Sequence, residues 1–445
     1  MKSLNVGLIA MSGVRACDQE LLRLGLTLPG FVERSKTIAS LPSLGLLTLA
    51  GMTPPRHRVT YLEVADVRAC PELPMDFDLV AVSTFSAQVN EGYELAGRYR
   101  ELGIPVVMGG LHATAIPEEA KSLGIIPAAG EGELTWPQIL GDAEDGTLAD
   151  QYDARGREFD LANAPTPAFE MLDINKYNRL TVQTSRGCPW RCAFCASSIL
   201  LTRKYKQKPV ENVLAEIDRI RDLWRRPFIE FADDNSFVNR AYWRDLLPHL
   251  RSRGIKWFAE TDLSVADDEV LLELMRDAGC AEVLIGFESP TAAGLDGVEL
   301  RRDWKLQKLP KYRRAVERIQ SHGIRVNACF VLGLDGQGPG AFDEVYRFVE
   351  EVVPFDVQIT IQTAFPGTPL YHRLKREGRL LRDPAWERCT LFDVNYRPTH
   401  MTVTELEEGF RALAVKLYGD DFTRFRKDTF RQKYARRCAT EPAFN

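Results

Sequence analysis

The sequence predicts an α/β protein made of two successive parallel-sheet units and a small helical C-terminal region. Short runs rich in Val and Ile alternate with stretches whose apolar residues recur at helical spacing, which is typical of parallel sheets covered by helices. The chain has 445 residues, enough for two or three domains at roughly 150 residues each. Its hydrophobic content of 45% lets each of them bury a core.

Composition excludes several classes of protein. The net charge of -5 argues against a protein whose main partner is DNA or RNA. No apolar run approaches the roughly 20 residues of a membrane helix, and the opening MKSLNVGLIAMSG predicts a strand rather than a signal peptide. The nine cysteines are an odd number scattered along the chain, which indicates a reducing, cytoplasmic location.

The first unit, residues 1–140, predicts a Rossmann-like parallel sheet. A helical pattern covers residues 90–102, and apolar runs predict strands at 5–10, 58–64, 79–85, 105–110 and 125–129. Ligands bind such sheets at the carboxyl ends of the strands. Two pairs of glycines follow strands there: Gly109 with Gly110, and Gly130 with Gly132. They either allow a backbone to approach a ligand closely or simply form turns.

Residues 141–178 are rich in Asp, Gly and Pro and predict a linker. The second unit, residues 179–380, predicts a partial barrel of six βα units, with its site at the carboxyl ends of the strands. Its strands are expected at 180–185, 228–233, 256–261, 282–289, 325–333 and 356–364, and helices at 210–224, 268–278, 312–321 and 341–352. Residues 381–445 predict a helical region that contains a helix at 403–417.

Three cysteines lie within eight residues just after the first barrel strand: Cys188, Cys192 and Cys195. Cysteine thiolates on a tight loop can hold an iron–sulfur cluster, and three of them on a four-iron cluster leave one iron open to a small molecule. A structural zinc site would need a fourth ligand nearby, and no histidine lies between His112 and His249. Three unrelated thiols are the other alternative.

The CxxxCxxC spacing, with the aromatic Phe194 before the last cysteine, resembles the radical S-adenosylmethionine (SAM) superfamily. The resemblance implies a 4Fe–4S cluster whose open iron binds SAM. It also implies cleavage of SAM to a 5′-deoxyadenosyl radical, which removes a hydrogen atom from the substrate. Polar groups at successive strand ends match the family's SAM site. The SAM contacts that the resemblance implies, beside Phe194, are Asp233, Asp234, Glu288, Ser289, Leu332 and Gly333.

The first unit resembles the cobalamin (B12)-binding domain that precedes the barrel in a large radical SAM subfamily. The matching pieces imply contacts to the cofactor from Thr84, Ser86, Gly109, Gly110, Gly130 and Gly132. The DxHxxG signature, which supplies an axial histidine in other cobalamin proteins, is absent. The absence does not exclude cobalamin, because many radical SAM members lack the signature too. The resemblance makes cobalamin a candidate cofactor, and the alternative is that the first unit is a scaffold that only caps the barrel.

Two reactions fit this domain order. The strand ends carry a surplus of acids beyond those that SAM requires: Glu230, Asp233, Asp234, Glu260, Asp262 and Glu288. Such a surplus suits a cationic, polyhydroxylated substrate and supplies general acids for expelling water. We therefore predict radical dehydration of an amino sugar, with Glu260 and Asp262 as catalytic groups. In domain order and size the chain is similar to radical SAM diol dehydratases of aminoglycoside antibiotic biosynthesis. The alternative is cobalamin-dependent C-methylation.

Other interpretations remain open. Glu260 or Asp262 could instead pair with Arg186 or Arg191 and be structural. A non-enzymatic corrinoid or cluster-binding sensor is the non-catalytic alternative, although a sensor would not need to position SAM. The expected partners are a small-molecule substrate and an electron donor of the flavodoxin or ferredoxin type, with a downstream reductase as a further candidate. Neither nucleic acid nor a membrane is expected as a partner.

Overall fold

The computed structural model describes residues 2–23, 41–70, 72–196 and 204–434, and it confirms the predicted fold class. Two six-stranded sheets follow one another along the chain, and every strand pair within them is parallel. Parallel strands need a crossover between them, so helices cover the faces of both sheets.

The first sheet has the order β2-β1-β3-β4-β5-β6. Its strands are β1 (Asn5–Met11), β2 (Arg58–Val64), β3 (Leu79–Ser83), β4 (Val106–Gly109), β5 (Ile126–Ala129) and β6 (Tyr152–Asp153). Strands β1 and β3 are buried almost throughout, because helices cover both faces of the sheet. The strand order reverses at β1, which lies between β2 and β3, and ligands bind open α/β sheets at such points.

The helices of the first unit are α1 (Leu44–Met52), α2 (Val89–Glu101), α3 (Leu111–Ala115), α4 (Pro117–Ser122) and α5 (Gly132–Asp145). Helix α5 extends into the predicted linker, and β6 pairs with β5 inside it. The segment 141–178 therefore supplies an edge strand and several short 3₁₀ turns in addition to crossing between the units. Aspartates cap two of these turns, since Asp160 accepts from the Ala162 amide and Asp173 from the Asn175 amide.

The second sheet is the partial barrel, and its strands lie in sequential order. They are β7 (Leu180–Val182), β8 (Phe228–Phe231), β9 (Lys256–Thr261), β10 (Cys280–Glu288), β11 (Arg325–Leu332) and β12 (Asp356–Ile361). The covering helices are α6 (Val210–Leu223), α7 (Arg240–Arg253), α8 (Glu269–Asp277), α9 (Tyr312–Ser321), α10 (Ala341–Val352) and α11 (Pro369–Arg376). Shorter helices span Gln19–Arg23, Ala292–Leu295 and Trp304–Lys308. All six strands point the same way, so their carboxyl ends form one rim.

The C-terminal region contains α12 (Val403–Tyr418) and α13 (Asp420–Tyr434). Thr402 and Glu405 form a capping box at the start of α12. The segment before these helices, residues 380–396, packs against the first unit, and we call it the clasp. Trp386 donates its indole N–H to Glu119 at 2.9 Å, and Asp393 accepts from the Cys17 amide at 2.8 Å. No helix among the described residues is long and apolar enough to cross a membrane.

Candidate active site

A cavity of about 340 Å³ lies at the rim of the barrel, and the three-cysteine loop forms part of its wall. Cys188, Cys192 and Cys195 all line it. Backbone contacts hold the loop from both sides, because Asp234 accepts from the Gly187 amide at 2.7 Å and Glu299 forms a β-bridge with Cys192. The loop thus takes its shape from the protein and presents three thiols to one space.

Burial keeps the Cys188 and Cys192 thiols of the cysteine loop protonated until a bound metal displaces their protons. Burial raises the pKa of the Cys188 thiol to about 11 and that of Cys192 to about 12. Groups with such pKa values hold their protons at neutral pH and are poor nucleophiles. Among the described residues, no three Cys, His or acidic side chains converge on a single metal-ion position. A four-iron cluster is compatible with this spacing, because each thiolate would bind a different iron.

The adjacent acids Asp233 and Asp234 occupy different environments. Asp234 lines the cavity. Asp233 lies beneath it and accepts from the Thr184 and Ser185 amides at 2.8 and 2.9 Å. Burial raises the pKa of Asp233 to about 6, although these hydrogen bonds and one from Ser236 favour the carboxylate. The structure therefore places Asp233 outside the lining, as a support for the start of the cysteine loop, and leaves Asp234 as the acid of this pair that faces the cavity.

Glu288 lines the cavity and is held by a lysine that the sequence analysis did not single out. Lys305 donates to Glu288 Oε1 at 2.6 Å and to the Gly286 carbonyl at 2.8 Å. Burial disfavours the charged ammonium, but the Glu288 carboxylate outweighs it and raises the pKa of Lys305. Glu288 has a φ of 60°, in the left-handed region that non-glycine residues rarely adopt. The cavity thus contains one fixed cation beside a carboxylate.

Beside Asp233, three further predicted SAM contacts lie outside the lining. Ser289 is fully buried and its hydroxyl contacts that of Thr291 at 3.2 Å. Leu332 is fully buried in the barrel core, because successive residues of a strand point to opposite faces. The Gly333 carbonyl accepts from the Tyr396 hydroxyl, and its amide donates to Gln337 at 2.8 Å. Val331 lines the cavity instead, together with the predicted Phe194.

Glu260 projects into the cavity from the end of β9. The cost of removing a charge from water raises its pKa to about 7, and the carboxylates of Glu230, Asp234 and Asp233 add to the shift, while Arg179 opposes it. A carboxyl group that titrates near neutral pH can both donate and accept a proton, as general acid–base groups do.

Asp262 also lines the cavity, and it is held by two side chains. Its Oδ2 accepts from the Trp190 indole and from the Asn235 amide, both at 2.8 Å. Asn235 additionally donates to the Cys188 sulfur at 3.7 Å, so Asp262 is linked to the cluster loop through one amide. Neither Asp262 nor Glu260 pairs with Arg186 or Arg191 among the described contacts. Asp262 therefore helps to fix the Trp190 and Asn235 side chains beside the cysteine loop.

A second cavity, of about 330 Å³, lies at the carboxyl edge of the first sheet. The four predicted glycines Gly109, Gly110, Gly130 and Gly132 all line it. Gly110 and Gly130 have φ angles of 102° and 92°, so their backbone itself requires glycine. A Cβ at Gly109 would meet no atom closer than 3.8 Å and one at Gly132 none closer than 3.5 Å, which is ordinary van der Waals contact, so neither position requires glycine for lack of space.

Thr84 and Ser86 lie outside this second cavity. The Thr84 hydroxyl donates to the Phe85 carbonyl at 2.9 Å, and the 3₁₀ turn that follows carries Ser86 to the other side of the strand end. There the Ser86 hydroxyl lies 3.1 Å from Nδ1 of the fully buried His112. The other ring nitrogen of His112 lies 2.8 Å from Glu119. These contacts give His112 and Ser86 structural roles in the first unit.

An ionic network beside the sheet-edge cavity joins the first unit to the segment that precedes the cysteine loop. Arg186, which precedes the cysteine loop, donates to Glu131 at 2.6 Å and to Glu133 at 2.8 Å, both in the loop and helix after β5. Lys206 also contacts Glu131, at 2.6 Å. Burial opposes ionisation of Glu133, yet the Arg186 guanidinium holds the pKa of that carboxyl below its ordinary value. The network fixes the first unit to the segment that carries the cysteines.

Comparison with protein families and curated proteins identifies relatives over most of the chain. A model described as the radical SAM superfamily matches residues 182–349, and a domain of unknown function (DUF4070) matches residues 368–443. An uncharacterized methyltransferase of Synechocystis is 30% identical over 368 residues, covering 81% of this chain and 67% of the relative. The hopanoid C-2 methylase of Rhodopseudomonas palustris is 29% identical over 358 residues, covering 78% and 66%. The chain thus spans about two thirds of the length of both relatives.

Solved structures share the fold. One is the radical SAM methyltransferase TsrM of Kitasatospora setae, with cobalamin and a 4Fe–4S cluster bound. It matches with a TM-score of 0.62 at 16% sequence identity, and the match covers 84% of this chain and 75% of the TsrM chain. Another is the cobalamin-dependent SAM radical enzyme OxsB, with aqua-cobalamin bound. It matches with a TM-score of 0.65 at 16% sequence identity, and the match covers 94% of this chain and 68% of the OxsB chain. With the cysteine loop at the barrel rim and these relatives, the chain belongs to the radical SAM superfamily, whose members use a 4Fe–4S cluster and SAM.

Proposed function

We propose that this chain is a cobalamin-dependent radical SAM methyltransferase that adds a methyl group to a carbon atom of a small polar molecule. The observation that carries the proposal is that the two cavities adjoin. The sheet-edge cavity is lined in part by Gln183, Arg186 and Ala232. The barrel cavity is lined by Cys188, two residues after Arg186, and by Asp234, two residues after Ala232. A methyl donor held at the first cavity would lie next to a substrate held at the second.

The names of the relatives favour methylation over the dehydration that the acidic strand ends predict. Beside the two methyltransferases described above, the bacteriochlorophyllide d C-8(2)-methyltransferase of Chlorobaculum tepidum is 25% identical over 363 residues and covers 78% of each chain. The relatives' names give no support for a lyase or for aminoglycoside biosynthesis. We therefore take the alternative reaction of the sequence analysis as the main one.

The barrel cavity has the groups that the cofactors require. When bound, the cluster and SAM supply a 5′-deoxyadenosyl radical, and methylcobalamin supplies the methyl group. Cys188, Cys192 and Cys195 would hold the cluster. Asp234 and Glu288 would accept hydrogen bonds from the SAM ammonium and ribose, and the Lys305 ammonium would face its carboxylate, because opposite charges form the stronger hydrogen bonds.

The sheet-edge cavity fits part of a corrinoid rather than the whole. About 330 Å³ has room for the heterocycle and sugar of a nucleotide tail. No histidine is among the described residues of its lining.

The substrate would contact Glu260, which no side chain in the described contacts neutralises and which projects into the cavity. An acidic wall favours a substrate that carries an amine or several hydroxyls. Dehydration remains the second candidate because of the same residue. A carboxyl group with a pKa of about 7 could protonate a departing hydroxyl near neutral pH.

The test uses protein reconstituted anaerobically with iron, sulfide and hydroxocobalamin, and then desalted. Methylation predicts a corrinoid absorption spectrum that remains with the protein. It also predicts S-adenosylhomocysteine and 5′-deoxyadenosine together during turnover, since one SAM supplies the methyl group and another the radical. A product heavier by about 14 mass units (CH₂, by arithmetic) would follow with an amine- or polyol-containing substrate panel. Loss of about 18 mass units (water, by arithmetic) without cobalamin would support dehydration and overturn the proposal.

A further inference from the structure

A buried carboxylate organises three arginines on the outer side of the cysteine loop. Glu299 is 2% exposed, and its two oxygens accept the backbone amides of Arg191 and Arg301, both at 3.2 Å, and of Arg302, at 2.7 Å. The Leu300 amide also donates to the Arg191 carbonyl at 2.9 Å. Two segments that are distant in sequence are therefore held side by side. We call the surface formed by Arg191, Leu300, Arg301 and Arg302 the arginine face.

The arginine face is both charged and accessible. Arg301 and Arg302 are exposed, Arg191 is half-buried, and Leu300 is 51% exposed. None of the three guanidinium groups forms an ion pair with a described carboxylate. Arginine is enriched at protein–protein interfaces, and Leu300 adds an exposed apolar side chain to this face.

The face is directly connected to the cavity. Arg191 immediately precedes Cys192, and Trp190 lines the cavity while it stacks on Trp304 with ring centroids 4.4 Å apart. A protein bound to the arginine face would therefore lie against the backbone that carries a cluster ligand. The chain as a whole has a net charge of -5, so the three arginines form a local basic patch on an acidic protein, which favours an acidic partner at this face.

We propose that the arginine face is the docking surface for an acidic one-electron carrier protein that reduces the cluster. This inference rests on the proposed function only in requiring a redox-active cluster at the cysteine loop. The carrier loses one electron and the iron–sulfur site gains it, and no bond to the protein forms or breaks. Direct contact shortens the path for the electron, and the guanidinium groups select a carrier with a carboxylate-rich surface.

The direct test measures binding rather than turnover. A fluorescently labelled acidic flavodoxin, in its oxidised form, is titrated with the cluster-reconstituted full chain at several salt concentrations. The double variant R301E/R302E should raise the Kd at least tenfold and remove most of its dependence on salt. The milder R301Q/R302Q should give an intermediate Kd. The control is R225E/R226E, another adjacent exposed pair, which precedes β8 at the opposite end of the barrel and should leave the Kd within twofold.

A second measurement separates docking from the proposed function. With flavodoxin as reductant, 5′-deoxyadenosine formation by R301E/R302E should fall at least tenfold, while with dithionite it should stay within twofold of wild type. Equal Kd values for wild type and R301E/R302E, or equal losses in R225E/R226E, would overturn the docking surface. If dithionite fails to drive SAM cleavage in wild type, the proposed function fails, and the Kd comparison still decides the docking surface.

Discussion

The Lys305 ammonium lies 2.6 Å from Glu288 Oε1, and both side chains are about nine-tenths buried. A ligand that binds Glu288 therefore binds a carboxylate whose charge is already compensated. The pair presents a cation and an anion to the same cavity, which matches the carboxylate and ammonium of an amino acid. This pairing changes what is expected of substitutions at either position.

Lys305→Met should be more damaging than loss of a surface lysine. Removing one partner of a buried ion pair leaves the other uncompensated, which costs about 3–5 kcal/mol of stability. SAM affinity, measured by equilibrium dialysis, should fall at least tenfold, and Glu288→Gln should cause a smaller loss. Lys308→Met, on the same short helix and partly exposed, is the matched control. Unchanged SAM affinity in Lys305→Met would remove this lysine from the SAM site.

Replacing any of Cys188, Cys192 and Cys195 by Ala should abolish reductive SAM cleavage. Each thiolate is expected to hold one iron, and two ligands do not retain a four-iron cluster. Iron and sulfide per chain and 5′-deoxyadenosine should all fall to background. Cys17→Ala, which removes an exposed thiol far from the loop in sequence, should leave them unchanged. A triple-alanine variant that still forms 5′-deoxyadenosine would contradict the cluster assignment.

Glu260→Gln should separate substrate chemistry from SAM cleavage. Glu260 is exposed to the cavity space, but desolvation by the cavity walls, with the carboxylates of Glu230, Asp234 and Asp233, raises its pKa to about 7, and Arg179 opposes that shift. For a cationic substrate, KM of the wild type should fall as pH rises through about 7, because Glu260 gains its charge. The variant should lose this pH dependence and at least tenfold in kcat/KM, while SAM cleavage without substrate persists. A pH profile that is identical in both proteins would exclude substrate contact.

Glu282 should make the fold less stable as pH rises. Burial and the neighbouring Asp356 raise the pKa of Glu282 to about 8, although Arg325, Lys427 and Asn327 oppose the shift. The folded chain therefore keeps a proton that the unfolded chain releases near pH 4.5, so stability is lost between about pH 4.5 and 8.

Melting temperatures from pH 5 to pH 9 check this expectation. Glu282→Gln should flatten the decline and raise the melting temperature at pH 9. Glu350→Gln, at an exposed position of α10, should change neither. A steeper decline in Glu282→Gln would reverse the assigned sign.

Arg186→Gln should loosen the two units from each other. The substitution leaves Glu131 and Glu133 buried with a single nearby cation, Lys206, and should cost roughly 3–5 kcal/mol. Added hydroxocobalamin should be retained less well after desalting, while the chain still folds. Arg155→Gln breaks an exposed pair with Asp153, which is worth about 0–1 kcal/mol, and should leave retention unchanged. If both variants retain the same amount of hydroxocobalamin, the ionic network does not contribute to corrinoid binding.

Apolar runs made the fold predictable, and strand ends were less so. The strand predicted at 256–261 has those bounds in the structure, whereas the one predicted at 228–233 ends at Phe231. Two polar residues account for the difference. The Asp233 carboxylate accepts hydrogen bonds from the Thr184 and Ser185 amides, and the Asp234 carboxylate accepts one from the Gly187 amide. Both residues lie beyond the last paired residue of the strand. The spacing of apolar residues predicts which positions are buried. It does not predict which acidic residue binds the backbone of a neighbouring loop, and so it does not predict where the strand ends.

The site was only partly predictable for a similar reason. The cysteine spacing is local, so the sequence indicates the cluster loop directly. Lys305 lies 17 positions after Glu288, in a segment without periodic pattern, and only the tertiary fold brings the two together. The same holds for Glu299, which contacts Arg191 across 108 positions. Alternation along a strand likewise explains why Val331, rather than Leu332, lines the cavity.

The clasp imposes an order on the biosynthesis of the protein. Cys17 and Asp393, whose backbone amide and side chain are joined, are 376 positions apart, and Glu119 and Trp386 are 267 apart. At about 5–20 residues per second, a ribosome needs tens of seconds to make the intervening chain. During that time the first unit presents an uncovered Glu119 and an incomplete apolar surface, which holding chaperones would recognise. A transcript truncated before the clasp would therefore yield a first unit that never completes its packing.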